Sequence, residues 1–289
     1  MRILILGASG MLGHEAYRVF QSDSDVYALM RNDFSVVKGF GIFDKNKSIC
    51  GVDAGNYPLL EETIQKIRPD AVINCIGIVK QVKEIGDPVE GIEINSLFPH
   101  KLSGICARNN CRLIHLSTDC VFSGIKGDYT EKDNPDPVDL YGRTKLLGEA
   151  VTGNVLTIRT SMIGRELATN HGLLEWFLSQ EGKEVKGYKN AIFSGFTTRA
   201  LSMALKEIIF KHPGLKGLYH VSSQPISKFD LLTLIKRKMG LNIGIIPDEQ
   251  FKCDRTLNSS KFRQETHYTP PSWENMIEVL ADNIKKGEG

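Results

Sequence analysis

Short apolar runs alternate with stretches of helical periodicity through the first half of the chain. Arg2–Leu6, Val26–Met30, Ala71–Cys75 and Arg112–Ser117 read as strands, each a brief and nearly continuous apolar run. Between them, Leu12–Phe20, Leu59–Ile67 and Ile94–Arg108 space their apolar residues as helices do. Strands of this kind separated by helices predict an α/β fold, with a doubly wound parallel sheet covered on both faces. The run Val155–Arg159 continues the alternation. Past residue 160 the rhythm loosens, with helices expected at Gly172–Ser179, Arg199–Phe210, Lys228–Met239 and Trp273–Ile284. Short strands are expected there at Leu218–Val221 and Ile243–Ile246. No linker or repeat separates this part, so it reads as a small α/β lobe packed back on the sheet.

At 289 residues the chain has ample length for a buried core. A formal charge of +2 is too small to imply a nucleic-acid footprint and no long Lys/Arg block suggests one, so no nucleic-acid partner is expected. Cys50, Cys75, Cys106, Cys111, Cys120 and Cys253 lack paired C-x-x-C spacing, so no metal site is expected. The opening apolar run stops at Gly7, too short for a signal-peptide core or a membrane span. A cytoplasmic protein with reduced thiols and no membrane partner is the default expectation.

Gly7-Ala8-Ser9-Gly10-Met11-Leu12-Gly13 lies between an apolar strand and a helical pattern. Glycines there permit a tight turn, close approach of backbone to a pyrophosphate, and close helix–strand packing. The helix start adds free N–H groups and a favourable dipole, so this segment is expected to bind a dinucleotide. At the end of the second strand stands Arg31, which suits the 2′-phosphate of NADP. Asp33, two residues on, could instead hold the ribose of NAD. Asp53 is expected on the adenine side, and Asn74 and Gly77 where the chain passes the cofactor.

Tyr141-Gly142-Arg143-Thr144-Lys145 carries the candidate chemistry. A tyrosine four residues before a lysine on a helix shares its face. A phenol has an ordinary pKa of about 10, and a neighbouring ammonium lowers it. Such a pair can exchange a proton with a substrate oxygen.

With Gly7–Gly13, the Leu116-Ser117-Thr118-Asp119-Cys120-Val121-Phe122 segment, Tyr141–Glu149 and Ile158-Arg159-Thr160-Ser161, the chain resembles the extended short-chain dehydrogenase/reductases. More narrowly it is similar to the dTDP-4-dehydrorhamnose reductase family, with weaker similarity at Leu218–Val221 and Asn258–Phe262. The resemblance implies a Rossmann-type NADP-binding domain over residues 1–160 and a mainly substrate-binding lobe over 161–289. It implies reduction of the 4-ketone of a nucleotide-linked 4-keto-6-deoxysugar in glycan biosynthesis, with NADP or NAD as cofactor. Thr118 would polarise the ketone, Tyr141 would donate the proton, and Lys145 would tune Tyr141 and bind the nicotinamide ribose. A homodimer is among the assemblies open to such an enzyme.

One position departs from the family, where the usual Ser-Thr-Asp-Tyr reads Ser-Thr-Asp-Cys. In related GDP-fucose synthases a cysteine at that place works with a histidine to invert carbons beside the ketone. Cys120 and His171 are the corresponding pair here, which keeps a bifunctional epimerase/reductase as an alternative. A non-catalytic role like that of the methionine adenosyltransferase beta subunit, which resembles the same family, is another. On the substrate side, Asn190, Phe193 and Thr197 fall in an expected polar-aromatic loop suited to a base and a phosphate. Arg255 is expected to pair with a diphosphate.

Overall fold

The computed structural model of the protein describes residues 1–78 and 88–287. Six strands form in the first part: β1 (Arg2–Leu6), β2 (Asp25–Leu29), β3 (Ser48–Ile49), β4 (Ala71–Asn74), β5 (Arg112–Thr118) and β6 (Val155–Thr160). Later come β7 (Met162–Ile163), β8 (Glu184–Phe193), β9 (Phe196–Thr197), β10 (Gly217–His220), β11 (Ile226–Ser227) and β12 (Gly244–Asp254). The central sheet has seven strands in the order β10-β6-β5-β4-β1-β2-β3, all paired in parallel. Strand order reverses between β1 and β4, and in such sheets ligands bind at the crevice beyond the strand ends at that point.

Helices α1 (Met11–Phe20), α2 (Phe34–Val37), α3 (Tyr57–Ile67), α4 (Pro88–Ile92) and α5 (Phe98–Arg108) connect the first five strands. Then follow α6 (Leu140–Leu147), α7 (Leu173–Leu178), α8 (Thr198–Lys211), α9 (Lys228–Met239), α10 (Ser260–Thr266) and α11 (Trp273–Lys285). Alternation within the continuous apolar strands serves two cores at once. Ile3 and Ile5 of β1 join the cluster that contains Tyr17, Phe20, Leu201 and Leu205. Leu4 and Leu6 join the opposite cluster, with Leu60, Ile64, Phe98 and Leu102. Full burial of each such side chain contributes about 1.5–3 kcal/mol.

The expected strands and helices of the first part form within a few residues of their predicted ends. The second part differs more. The Ile243–Ile246 strand extends through a polar stretch to Asp254, and the segment expected as a loop around Asn190 is the end of the ten-residue strand β8. β8 is held between antiparallel β11 and parallel β12. Both polar strands exist because they pair with each other, which local hydropathy does not signal. Among the described residues no helix is long and apolar enough to cross a membrane.

Two glycines fix how α1 meets the sheet. Gly7 adopts φ +72°, and its N–H donates to Leu29 O at 3.0 Å. A Cβ on Gly13 would stand 2.1 Å from Gly7 O and 2.7 Å from Ala8 Cα, both backbone atoms that cannot swing aside. Gly13→Ala should therefore lower the unfolding free energy by about 1–3 kcal/mol. Gly39→Ala, where a Cβ meets nothing within 4 Å, should stay within about 0.5 kcal/mol of wild type. Urea denaturation of both variants checks this, and equal stabilities would contradict the packing account.

Candidate active site

The C-terminal ends of β1, β4, β5 and β6 open onto one cavity of about 370 Å³. Gly10, Met11 and Leu12 form one wall, Asn74–Ile78 a second, and Leu116–Cys120 with Tyr141 and Lys145 a third. Thr160–Met162, Glu166, Thr169 and Gly172 close it from the far side.

Local sequence explains each wall. The turn from β1 to α1 is closed by Gly10 N–H donating to Gly7 O at 2.9 Å. Gly10 is the N-cap of α1 and brings no side-chain cap, so the first-turn N–H groups of α1 are left for a ligand. Ser9 sits half-buried in that turn and Gly13 packs beneath it. Uncapped amides facing a glycine cradle fit the pyrophosphate of a dinucleotide. Beyond β2, Arg31 is exposed, while Asp33 Oδ1 accepts the N–H of Ser35 at 2.8 Å as the N-cap of α2. Asp53 is exposed and caps its own turn by accepting Gly55 N–H at 2.8 Å.

At the end of β4, Asn74 donates through Nδ2 to His115 Nδ1 (3.1 Å) and accepts Ile76 N–H at Oδ1 (3.0 Å). His115 is held neutral, well below the ordinary imidazole value, by burial and then by the charge of Lys145. Asn74 thus shapes the turn that brings Gly77 to the cavity. A Cβ on Gly77 would lie 3.4 Å from Asn95 Oδ1 and 3.8 Å from Lys145 Nζ. Asn95, fully buried in the π-helical turn Glu93–Leu97, accepts Ile78 N–H at 2.9 Å and donates to Ile78 O at 3.0 Å. π-turns of this kind recur at functional sites.

Thr118 ends β5 and caps the turn that follows, its Oγ1 accepting Cys120 N–H at 3.1 Å and donating to Asp119 Oδ1 at 3.2 Å. The Thr118 side chain also acts on Tyr141, weakly favouring its ionised form. Tyr141 and Lys145 lie on α6, which Asp139 caps through Gly142 N–H at 2.8 Å. Lys145 Nζ donates to Leu116 O at 2.7 Å. Burial lowers its pKa to about 8, against the opposing charge of Glu149. Burial also moves Tyr141, but upward, with the Cys120 charge adding to the effect. Burial thus outweighs the lowering expected from Lys145, and the phenol stays protonated.

The Cys120 thiol is pushed up to about 12 by burial and then by the Asp119 charge, although Arg255 Nη1 stands 3.3 Å from its Sγ. Asp119 is itself raised by burial, with Arg255 and Lys228 opposing. Lys228, the first residue of α9, is lowered by burial and held up by Asp119 and Cys120. Lys228 escaped the sequence reading because it belongs to a segment far from every motif.

Other predicted positions do not themselves line the cavity, though His171 adjoins Gly172 and bonds Glu166, which do. His171 is exposed, and its backbone N–H donates to Glu166 Oε2 at 2.7 Å. Asn190 is exposed and donates to Glu249 O at 2.8 Å. Phe193 is buried against Trp273, ring centroids 5.4 Å apart, with Lys228 Nζ 4.1 Å above its ring. Thr197 is buried and caps α8 through Ala200 N–H. Each of these last three has a structural role: a bond between strands, a core ring and a helix cap.

The family described as RmlD substrate binding domain matches residues 1–285. The dTDP-4-dehydrorhamnose reductase of Escherichia coli (strain K12) is 26% identical over 98% of both chains. A crystal structure described as a hypothetical dTDP-4-dehydrorhamnose reductase from Sulfolobus tokodaii is 29% identical. It superposes with a TM-score of 0.78, covering 96% of this chain and 99% of that one. The Bacillus anthracis dTDP-4-dehydrorhamnose reductase, solved in complex with NADP, has the same fold with a TM-score of 0.80. It is 22% identical, with 96% of this chain and 98% of that one covered. The chain belongs to the RmlD substrate binding domain family and is an NAD(P)-dependent oxidoreductase with a Rossmann-type fold.

Proposed function

We propose that the protein uses NADPH to reduce the 4-ketone of a nucleotide-linked 4-keto-6-deoxysugar in glycan biosynthesis. The observation that carries this reading is the convergence of Thr118, Tyr141 and Lys145 on one cavity with the uncapped start of α1. Bound NADPH supplies the hydride. Tyr141, protonated and lining the cavity with Thr118, gives its proton to the oxygen that becomes an alkoxide. Thr118 orients that oxygen. Lys145 is a cation below pH about 8 and favours the phenolate left behind, then loses that charge as pH rises further. On the substrate side, Arg255 and Lys228 place positive charge beside Cys120, which suits a diphosphate.

The same electrostatics weigh against the epimerase alternative. A base at Cys120 needs a thiolate, and burial opposes one. The intact set of proton-handling groups likewise favours chemistry over a purely regulatory role. Arg31 supports NADPH, since the competing carboxylate of Asp33 is engaged as a helix cap.

Three outcomes test this reading. Tyr141→Phe should retain fold and NADPH affinity and lose ketone reduction by on the order of a hundredfold. Assays of NADPH oxidation where chemistry limits turnover check it, and unchanged turnover would refute the role. Arg31→Ala should weaken NADPH about tenfold, through loss of a charge-assisted phosphate contact, and leave NADH nearly unaffected. Fluorescence titration with both cofactors decides, and equal losses would remove Arg31 from the site. In deuterated water, NMR should show no enzyme-dependent exchange at C3 or C5 of a reducible ketosugar. Exchange abolished by Cys120→Ser would restore the epimerase reading.

A further inference from the structure

We propose that Glu149 is a positioning residue for the reduction: its buried carboxylate, clamped by Arg159, locks the end of β5 to the segment that presents Tyr141 and Lys145. The inference rests on the reading above and concerns a group outside the cavity wall. Glu149 lies one turn beyond Lys145, just past the end of α6. Its Oε1 accepts Ser117 Oγ–H at 2.7 Å and Arg159 Nε–H at 2.8 Å, and its Oε2 accepts Arg159 Nη2–H at 2.7 Å. The side chains are only 8% and 4% exposed.

One carboxylate therefore joins three segments that each supply the site. Ser117 immediately precedes Thr118, and Arg159 immediately precedes Thr160 of the cavity wall. In the β5–β6 register Ser117 pairs with Arg159 and Thr118 with Thr160. Arg159 is fixed from its other side. Its Nη1 donates to His220 Nε2 at 3.3 Å, and its guanidinium lies 5.2 Å from the centre of the Phe122 ring. His220 is held neutral, at about 3, by burial and by Arg159, and it bonds Tyr129 O through Nδ1 at 2.9 Å. Glu149 also acts through charge, because it is the main group opposing the effect of burial on the Lys145 ammonium. Replacing a buried ion pair by apolar volume is often neutral for stability, so stability alone does not account for a pair in this place.

Variants of the full chain separate positioning from mere support. Glu149→Gln keeps the shape and removes the charge. Glu149→Leu/Arg159→Met removes the pair without stranding a charge, and Ser117→Ala cuts the tie to β5 while leaving the ion pair intact. In chains labelled at lysine 13Cε, the Lys145 titration should move down by about one pH unit in Glu149→Gln. That readout needs no substrate, so it tests Glu149 even if no ketosugar is reduced by wild type, which would sink the functional reading instead. In turnover, Glu149→Gln and the double variant should lose about tenfold or more in kcat. Their KM for the ketosugar and Kd for NADPH should stay within about threefold, and Ser117→Ala should show a smaller loss of the same kind. An unmoved Lys145 titration, or wild-type kcat in the folded double variant, overturns the proposal. If Glu149→Gln fails to fold, the other two variants decide, and wild-type kcat in both counts against it.

Discussion

A parallel sheet needs cover on both faces, and here Ile3 and Ile5 bury into one layer while Leu4 and Leu6 bury into the other. That two-sided burial leaves the strand ends as the places where backbone can meet a ligand. Because β1, β4, β5 and β6 run the same way, their C-terminal ends share one crevice at the reversal of strand order. Gly13 lets α1 lie against the turn, so its free amides face that crevice. Thr118, Tyr141 and Lys145 reach it from the opposite side. The site is a consequence of sheet topology before it is a consequence of any single residue.

Desolvation then sets the charge state of the groups gathered there. It raises Tyr141 and Cys120 and lowers Lys145 and Lys228. The result is a protonated phenol suited to donating and a thiol poorly suited to abstracting. An ammonium that titrates near neutrality then responds to small changes in its surroundings. Glu149, linked to Ser117 and Arg159, is the principal anion supporting that ammonium, which ties the local electrostatics to the geometry of β5 and β6.

Five of the first six strands, all but β3, and the longer helices between them were legible where hydrophobicity is locally periodic, as in Arg2–Leu6 and Met11–Phe20. The glycine turn and the Tyr141/Lys145 pair were legible too, since their spacing is short and their chemistry specific. β8 and the polar half of β12 were not, because each exists through pairing with a strand distant in sequence. For the same reason the ring partner of Phe193, Trp273, gives no nearby signal. Asn95, Lys228 and the Ser117–Glu149–Arg159 link are likewise products of tertiary convergence. The pKa direction of Tyr141 was misjudged because a sequence shows the neighbouring lysine and not the depth of burial.

The central claim, that this cavity carries a hydride to a sugar ketone and Tyr141 supplies the proton, is tested most directly by isotope transfer. NADPH deuterated at nicotinamide C4 would be incubated with nucleotide-linked 4-keto-6-deoxysugars carrying different bases, and the sugar products read by NMR. The account predicts one deuterium at C4 of the reduced sugar, transferred by wild type and nearly lost in Tyr141→Phe. Products without deuterium at C4, or transfer unchanged in Tyr141→Phe, would contradict it.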